Sequence, residues 1–348
     1  RRSTVLEYLD FEKVIIEDNN SMQLKKVQKF LEDQELKLDS NLDYTIVFYD
    51  DEDEVVATGS FKKNILKCIA VNNKYKGSGV SSKIVSELIN EEFRRGYSHL
   101  FVYTKPKNID IFKGLGFYEI ETVENKVTLL ENLPNGINKY CEKLKKETPN
   151  INGDKIASIV VNCNPFTLGH RYLIEKASKE NDLVHVFVVW EDESMFSPEV
   201  RYKLVKEGLK DLDNIVLHKA EDYIISDATF PSYFLKKKDN VVKIHANLDI
   251  KIFLNYIVKA LNIKRRYVGE EPLDFVTNEY NLAMKDILDK NGIQVIEVPR
   301  LENNNEIISA SKVRELFENR EFSKLKGFVP ESTYDFLVSK EGEKLIKK

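Results

Sequence analysis

Cysteine is scarce, with only Cys68, Cys141 and Cys163, and these show neither CxxC spacing nor a nearby pair of histidines. An odd, scattered set cannot frame a disulfide-stapled fold and lacks the ligand spacing of structural zinc, so no protein metal site is expected. A reducing cytoplasm is the expected compartment. Long apolar runs are also missing. None approaches the roughly 20 residues of a membrane-spanning helix, and the opening RRSTVLEYLDFEK is too charged for a signal peptide, so no membrane association is expected. The chain opens on Arg rather than Met, which leaves room for a native start upstream. Neither sign of charge dominates: 53 Lys and Arg face 57 Asp and Glu, for a net charge of −4. That near-balance sets up no chain-wide field to recruit nucleic acid. Neither GxxxxGKS nor GxxxxGKT occurs, which excludes a Walker-type nucleotide loop.

What is present is core-forming material. Hydrophobic residues make up 42% and charged residues 32% of 348, enough for packed cores and, at roughly 150 residues per domain, for two of them. Residues 44 to 71 read as three strands, YTIVFYD, EVVATGSF and ILKCIAV, with an acidic turn between the first two. After Gly77 and Gly79, VSSKIVSELINEEFRR places Ile84, Leu88 and Ile89 at helical spacing and stops at Gly96. HLFVYT continues as a strand, IDIFKGL as a short helix and GFYEIE as a further strand. INKYCEKLKKE reads as an amphipathic connecting helix and TPNINGD as a linker, which sets the boundary near 150 and the domains at 1–150 and 151–348. From Ile156 the rhythm alternates: strand IASIVVN, helix HRYLIEKAS, strand LVHVFVVW, helix PEVRYKLVKEGL, strand IVLHK. VVKIHAN, a helix in IKIFLNYIVKAL, RRYVGEE, a helix through Lys290 and QVIEVPR follow. Alternation of this kind predicts an α/β fold with a doubly wound parallel sheet and ligands beyond the carboxyl ends of its strands.

The strongest local feature is Asn162-Cys163-Asn164-Pro165-Phe166-Thr167-Leu168-Gly169-His170, between the first strand of the second half and its first helix. Gly169 lets the backbone come close to a ligand, the helix start offers free N–H groups, and Thr167 and His170 bracket that spot with two donors. Such a site suits a phosphate and can stabilise charge growing on an α-phosphorus without covalent chemistry of its own. Ile308-Ser309-Ala310-Ser311-Lys312-Val313-Arg314 opens another helix with two hydroxyls, a Lys and an Arg, a second phosphate grip or an ordinary N-cap.

TLGH followed by ISASKVR resembles the HIGH and ISSTxVR signatures of the nucleotidyltransferase superfamily, whose members bind ATP and release pyrophosphate. NPFTLGHRYLIEKAS, SDATFPSYFLK and RRYVGEEPLDFVTNEYN are similar to the citrate (pro-3S)-lyase ligase family, across most of residues 156 to 320. The resemblance implies activation of acetate with ATP and acetylation of the thiol on the dephospho-CoA-derived arm of a citrate lyase acyl carrier subunit. His170, Thr167, Lys312 and Arg314 would then be catalytic. Asn164, Phe166, Gly169, Ser309, Ser311 and Arg201 would bind ATP, with Mg²⁺ travelling on the nucleotide rather than in a protein cage. Cys163 departs from the family, where a small non-thiol residue is expected. Acetate is already an anionic nucleophile at neutral pH and needs no general base, so the site has chiefly to suppress its repulsion from the triphosphate.

Thr229, Phe230 and Tyr233 in SDATFPSYFLK would line an acetate pocket or, alternatively, form a mini-core beneath a loop. The runs Lys264-Arg265-Arg266 and Lys236-Lys237-Lys238 read as solvated faces, either of which would suit an acidic carrier. In the first half, Lys74-Tyr75-Lys76-Gly77-Ser78-Gly79 between strand and helix, with IFKGLGF downstream, resembles the GNAT acyltransferase pattern, Lys74 replacing the usual Gln or Arg. Lys74, Lys76, Gly77 and Gly79 would then hold the pyrophosphate of the carrier's prosthetic arm. Two other readings share these motifs: a nucleotidyltransferase joining AMP to a phosphorylated cofactor precursor, and a GNAT acetyltransferase with a nucleotide-sensing domain.

Overall fold

The computed structural model describes residues 11–16, 22–151, 153–191, 194–231, 241–271, 274–303 and 306–346. The chain divides into two compact units, Arg1–Asn135 and Gly136–Lys348.

The first unit is a seven-stranded sheet in the order β1-β2-β3-β4-β5-β7-β6. Its strands are β1 (Glu12–Ile15), β2 (Tyr44–Tyr49), β3 (Val55–Lys62), β4 (Ile65–Val71), β5 (Phe101–Thr104), β6 (Tyr118–Val123) and β7 (Val127–Glu131). Neighbours run antiparallel except β4 and β5, which pair in parallel. Three helices accompany them: α1 (Met22–Asp33), α2 (Val80–Arg94) and α3 (Ile109–Gly114). The helical spacing of Val80, Ile84, Val85 and Leu88 gives α2 one apolar stripe, buried against Ile46, Phe48, Phe61 and Leu66.

The second unit opens with α4 (Gly136–Glu147) and holds the five parallel strands β8 (Ile156–Val161), β9 (Leu183–Val188), β10 (Ile215–Lys219), β11 (Arg265–Gly269) and β12 (Gln294–Val298). Their order is β10-β9-β8-β11-β12. The chain therefore grows to one side of β8 and then returns to the other, which makes the carboxyl end of β8 the topological switch point. Helices α5 (Leu168–Glu180) and α6 (Pro198–Gly208) cover one sheet face, packing Leu173, Ile174, Leu204 and Val205 on Ala157, Ile159, Val184 and Val186. The remaining long helices are α7 (Val241–Ile252), continued by a π-helical turn at Phe253–Val258, α8 (Phe275–Lys290) and α9 (Ala310–Glu318).

Three sequence expectations change. The segment boundary lies before α4 rather than near 150, because the helix buries Ile137, Tyr140, Cys141 and Leu144 within the second unit. Its Tyr140 hydroxyl donates to the Lys219 carbonyl at 2.8 Å, and Glu147 lies 2.7 Å from Nδ1 of His218. The helix expected in IKIFLNYIVKAL begins earlier, at VVKIHAN, as the start of α7, since buried positions recur at Val242, His245, Ala246 and Asp249, a helical period. Arg266 is not part of a solvated face: its side chain is buried over the Phe253 ring, while Lys236 to Lys238 lie outside the described residues.

Candidate active site

Strand β8 ends in a loop that turns at Cys163 (φ 52°) and delivers Thr167 as the N-cap of α5. The cap is reciprocal. Thr167 Oγ1 accepts from the His170 amide at 3.3 Å, and His170 Nδ1 accepts from the Thr167 amide at 3.1 Å. A backbone N–H can only donate, so Nδ1 is the unprotonated nitrogen of a neutral ring, and the Thr167 hydroxyl, 2.9 Å away, turns its own proton to the same nitrogen. The ring proton is thereby assigned to Nε2, which becomes a fixed donor. Burial pushes the His170 pKa down to about 4, with the positive charge of Arg300 adding to the effect. His170 is thus neutral at physiological pH.

The first amides of α5 are divided between partners. Leu168 N–H donates to the Phe328 carbonyl at 2.9 Å and His170 N–H to Thr167, while the Gly169 amide takes no partner among the described residues. Gly169 is also where the two sequence motifs meet. A Cβ built there would lie 3.2 Å from the Ile308 carbonyl oxygen, so the absent side chain lets the start of α5 approach Ile308-Ser309. Ser309 caps α9 by accepting from the Lys312 amide at 3.1 Å. Arg314, one turn into α9, donates from Nη1 to the Asn164 carbonyl at 2.6 Å and from Nη2 to Ser311 Oγ at 3.0 Å. Two helix N-termini, a neutral imidazole donor and a guanidinium therefore gather beyond the carboxyl end of β8, an arrangement suited to a polyanion.

Several expected ligand contacts serve this framework instead. Arg201 is fully buried, and its guanidinium donates to the carbonyls of Phe196, Asn162, Val189 and Glu191 and to Asn162 Oδ1, at 2.5–3.0 Å. It ties the ends of β8 and β9 to the start of α6. Phe166 is a core residue against Gly208, where a Cβ would lie 2.4 Å from its ring. Asn164 accepts the Phe196 amide at 3.2 Å through its side chain, and Thr167 is buried within the cap, so both position neighbours. Lys312 is partly exposed and pairs with Glu315 at 3.4 Å, while Ser311 is exposed. Cys163 is fully buried, and burial raises its thiol far above the normal range, which removes it as a nucleophile.

The proposed acetate pocket is also different from expectation. Thr229 and Phe230 are fully buried. Thr229 Oγ1 accepts from the Ser226 amide at 3.1 Å, and Phe230 stacks on Tyr280 at 5.1 Å between centroids. The alternative of a mini-core beneath a loop describes these two residues; Tyr233 lies outside the described residues. Arg300, whose charge acts on the His170 ring, carried no motif; its only sequence signal was its place just past the carboxyl end of β12.

In the first unit, Gly77 and Gly79 adopt φ of 82° and 84° at the start of α2, with open space where a Cβ would stand. Lys74 and Lys76 are exposed beside them, and α2 has no side-chain cap. This leaves its first-turn amides available to an anion.

Residues 156–337 match the citrate lyase ligase C-terminal domain family, and residues 13–117 match the GNAT acetyltransferase family. The citrate (pro-3S)-lyase ligase of Haemophilus influenzae is 41% identical over 334 residues, covering 94% of this chain and 98% of the relative. The chain belongs to the citrate lyase ligase family. The corresponding ligases of Klebsiella pneumoniae and Escherichia coli are 39% and 35% identical, covering 90% and 92% of this chain and 92% of each relative. The protein is accordingly a ligase with an N-terminal GNAT domain and a C-terminal citrate lyase ligase domain built on a parallel α/β sheet. Among the described residues no helix is long and apolar enough to cross a membrane.

Proposed function

We propose that this ligase activates acetate as acetyl adenylate and transfers the acetyl group to the thiol arm of a citrate lyase acyl carrier subunit, in the cytoplasm. An acetate oxygen attacks the α-phosphorus of ATP, the bond to the β-phosphate oxygen breaks and pyrophosphate leaves. The carrier thiolate then attacks the acetyl carbon, and AMP departs. The observation that carries the proposal is the close approach of Gly169, at the start of α5, to Ile308, the residue just before the Ser309 cap of α9, beyond the switch point of the sheet. His170 Nε2–H would donate to the α-phosphate as negative charge grows there, and because the ring is already neutral it would keep that N–H throughout the step. The Gly169 amide and the Ser309 end of α9 would receive the β and γ groups, with Arg314 neutralising charge from one side. Mg²⁺ fits this donor set only as a companion of the nucleotide, since the residues here are donors and cations rather than carboxylates; bound to the phosphate oxygens, it would screen their charge.

The exposed glycine turn at Gly77–Gly79 supports a matching role for the first unit, holding the pyrophosphate of the carrier's prosthetic arm. The test of the adenylating step is acetate-dependent exchange of labelled pyrophosphate into ATP by the purified chain. Exchange that requires acetate supports the proposal. Exchange that requires a phosphate ester instead would favour AMP transfer to a cofactor precursor, and no exchange under any acid would contradict adenylation altogether.

A further inference from the structure

The candidate site as assembled has a shortage of positive charge. A triphosphate carries several negative charges, yet His170 is neutral and Arg201 is committed to backbone carbonyls, which leaves Lys312, loosely paired with Glu315, as a single ammonium without a fork. Arg314 is left with two of its N–H groups engaged. Resting on the nucleotide reading above, we propose that Arg300 is a further ligand of the phosphate chain, exchanging the carboxylate of Glu271 for phosphate oxygens when the nucleotide binds.

The backbone brings Arg300 to the site by a short path. It stands two residues past the end of β12, on the far side of the switch point from β9. The next residue, Leu301, accepts from the Ile308 amide at 2.9 Å and begins a hairpin in which Glu302 pairs with Ile307. The returning strand of that hairpin leads into Ile308, which meets Gly169, and then into the Ser309 cap of α9. Arg300 thus flanks the same junction from the β12 side, close enough for its charge to act on the His170 ring.

Its present contacts allow the exchange. Nε donates to the Glu270 carbonyl at 2.8 Å, which aims the side chain, while the Nη2 edge meets the Glu271 carboxylate. Both members of the pair keep about a fifth of their side-chain surface in solvent, 20% and 23%. The pair reaches solvent on one edge, and a phosphate offers the same guanidinium fork more charge and more acceptors than one carboxylate. Glu271 therefore acts as a placeholder that keeps the guanidinium oriented.

The experiment measures binding of α,β-methylene ATP, with Mg²⁺, by titration calorimetry to the full chain, so that neither acetate nor turnover is involved. Arg300→Gln is expected to weaken binding about tenfold or more, and Arg300→Lys to lose less, keeping the charge without the fork. Glu271→Gln is expected to bind at least as tightly as the unaltered protein, because it frees the same guanidinium. A structural role for the ion pair would instead make the Arg300 and Glu271 variants fail alike. The inference is overturned if Arg300→Gln binds like the unaltered chain, or if Glu271→Gln loses as much as Arg300→Gln. An unaltered chain that binds no nucleotide would overturn the adenylating reading itself, and this inference with it; those two failures are separately visible. As a second readout, the His170 titration followed by NMR is expected to move upward from about 4 in Arg300→Gln.

Discussion

Arg201→Met separates a structural strut from a nucleotide contact. The guanidinium is fully buried and serves five acceptors: the carbonyls of Phe196, Asn162, Val189 and Glu191, and Asn162 Oδ1. Methionine fills similar space but donates nothing, so these oxygens are left desolvated at the junction of β8, β9 and α6. Removing one side of a buried charged network costs about 3–5 kcal/mol. At about 2–4 °C per kcal/mol for a unit of this size, the unfolding transition of the second unit should fall by roughly 6–20 °C. Differential scanning calorimetry measures this directly, and nucleotide affinity is then measured well below the transition. Arg201→Lys should also be strongly destabilised, because one ammonium cannot span acceptors on three segments. A variant that melts with the unaltered protein but no longer binds ATP would refute the strut and restore Arg201 to the phosphate site.

His170→Gln should cut adenylation about a hundredfold or more, equivalent to roughly 3–4 kcal/mol of transition-state stabilisation, with little change in melting temperature because Gln at this position can complete the capping box. His170→Ala should lose the same activity and about 1 kcal/mol of stability besides; near-normal pyrophosphate exchange in the Gln variant would exclude a donor role. Gly77→Glu should impair acetyl transfer to the carrier while sparing acetate-dependent exchange, whereas Gly77→Asn, tolerant of positive φ, should spare both half-reactions. If the Glu variant transfers acetyl normally, the turn does not hold the arm. Glu92 on α2 is fully buried with both carboxylate oxygens unpartnered, and burial raises its pKa to about 8. The folded unit therefore holds a proton that the unfolded chain releases near 4.5, so its stability is full below that value and declines as pH rises through about 8. Glu92→Gln should flatten this decline in melting curves between pH 5 and 9, and an unchanged pH dependence would show that Glu92 does not cause it.

The two helix-start motifs were legible because each combines hydroxyls or glycine with a strand-to-helix or loop-to-helix position, and helix starts are local features. Thr167 reads as a donor to phosphate, whereas its hydroxyl is engaged in the cap of α5, a role that Thr before a helix also signals. The carbonyl partners of Arg201 could not be read in advance, since they come from the ends of two strands and the segment before its own helix, which no spacing rule connects. Phe166 looked like a loop residue beside a ligand until Gly208 opened room for its ring in the core. Buried polar groups in the second sheet were equally hidden: Ser158 sits beside His185 on one side and Arg266 on the other. A polar residue in a strand reads as solvent-facing from periodicity alone. The early domain boundary had the same cause, because a Pro, Asn and Gly segment marks flexibility but not which unit the preceding helix packs against.

The central claim is that acetate is activated by attack on the α-phosphorus, and oxygen tracing tests it most directly. Acetate labelled with ¹⁸O in both oxygens is incubated with ATP, Mg²⁺, the ligase and its thiol acceptor, and the nucleotide product is analysed by mass spectrometry. An acetyl adenylate intermediate places one acetate oxygen on the phosphate of AMP, while pyrophosphate stays unlabelled. Unlabelled AMP, or label appearing in phosphate or pyrophosphate, would contradict the account.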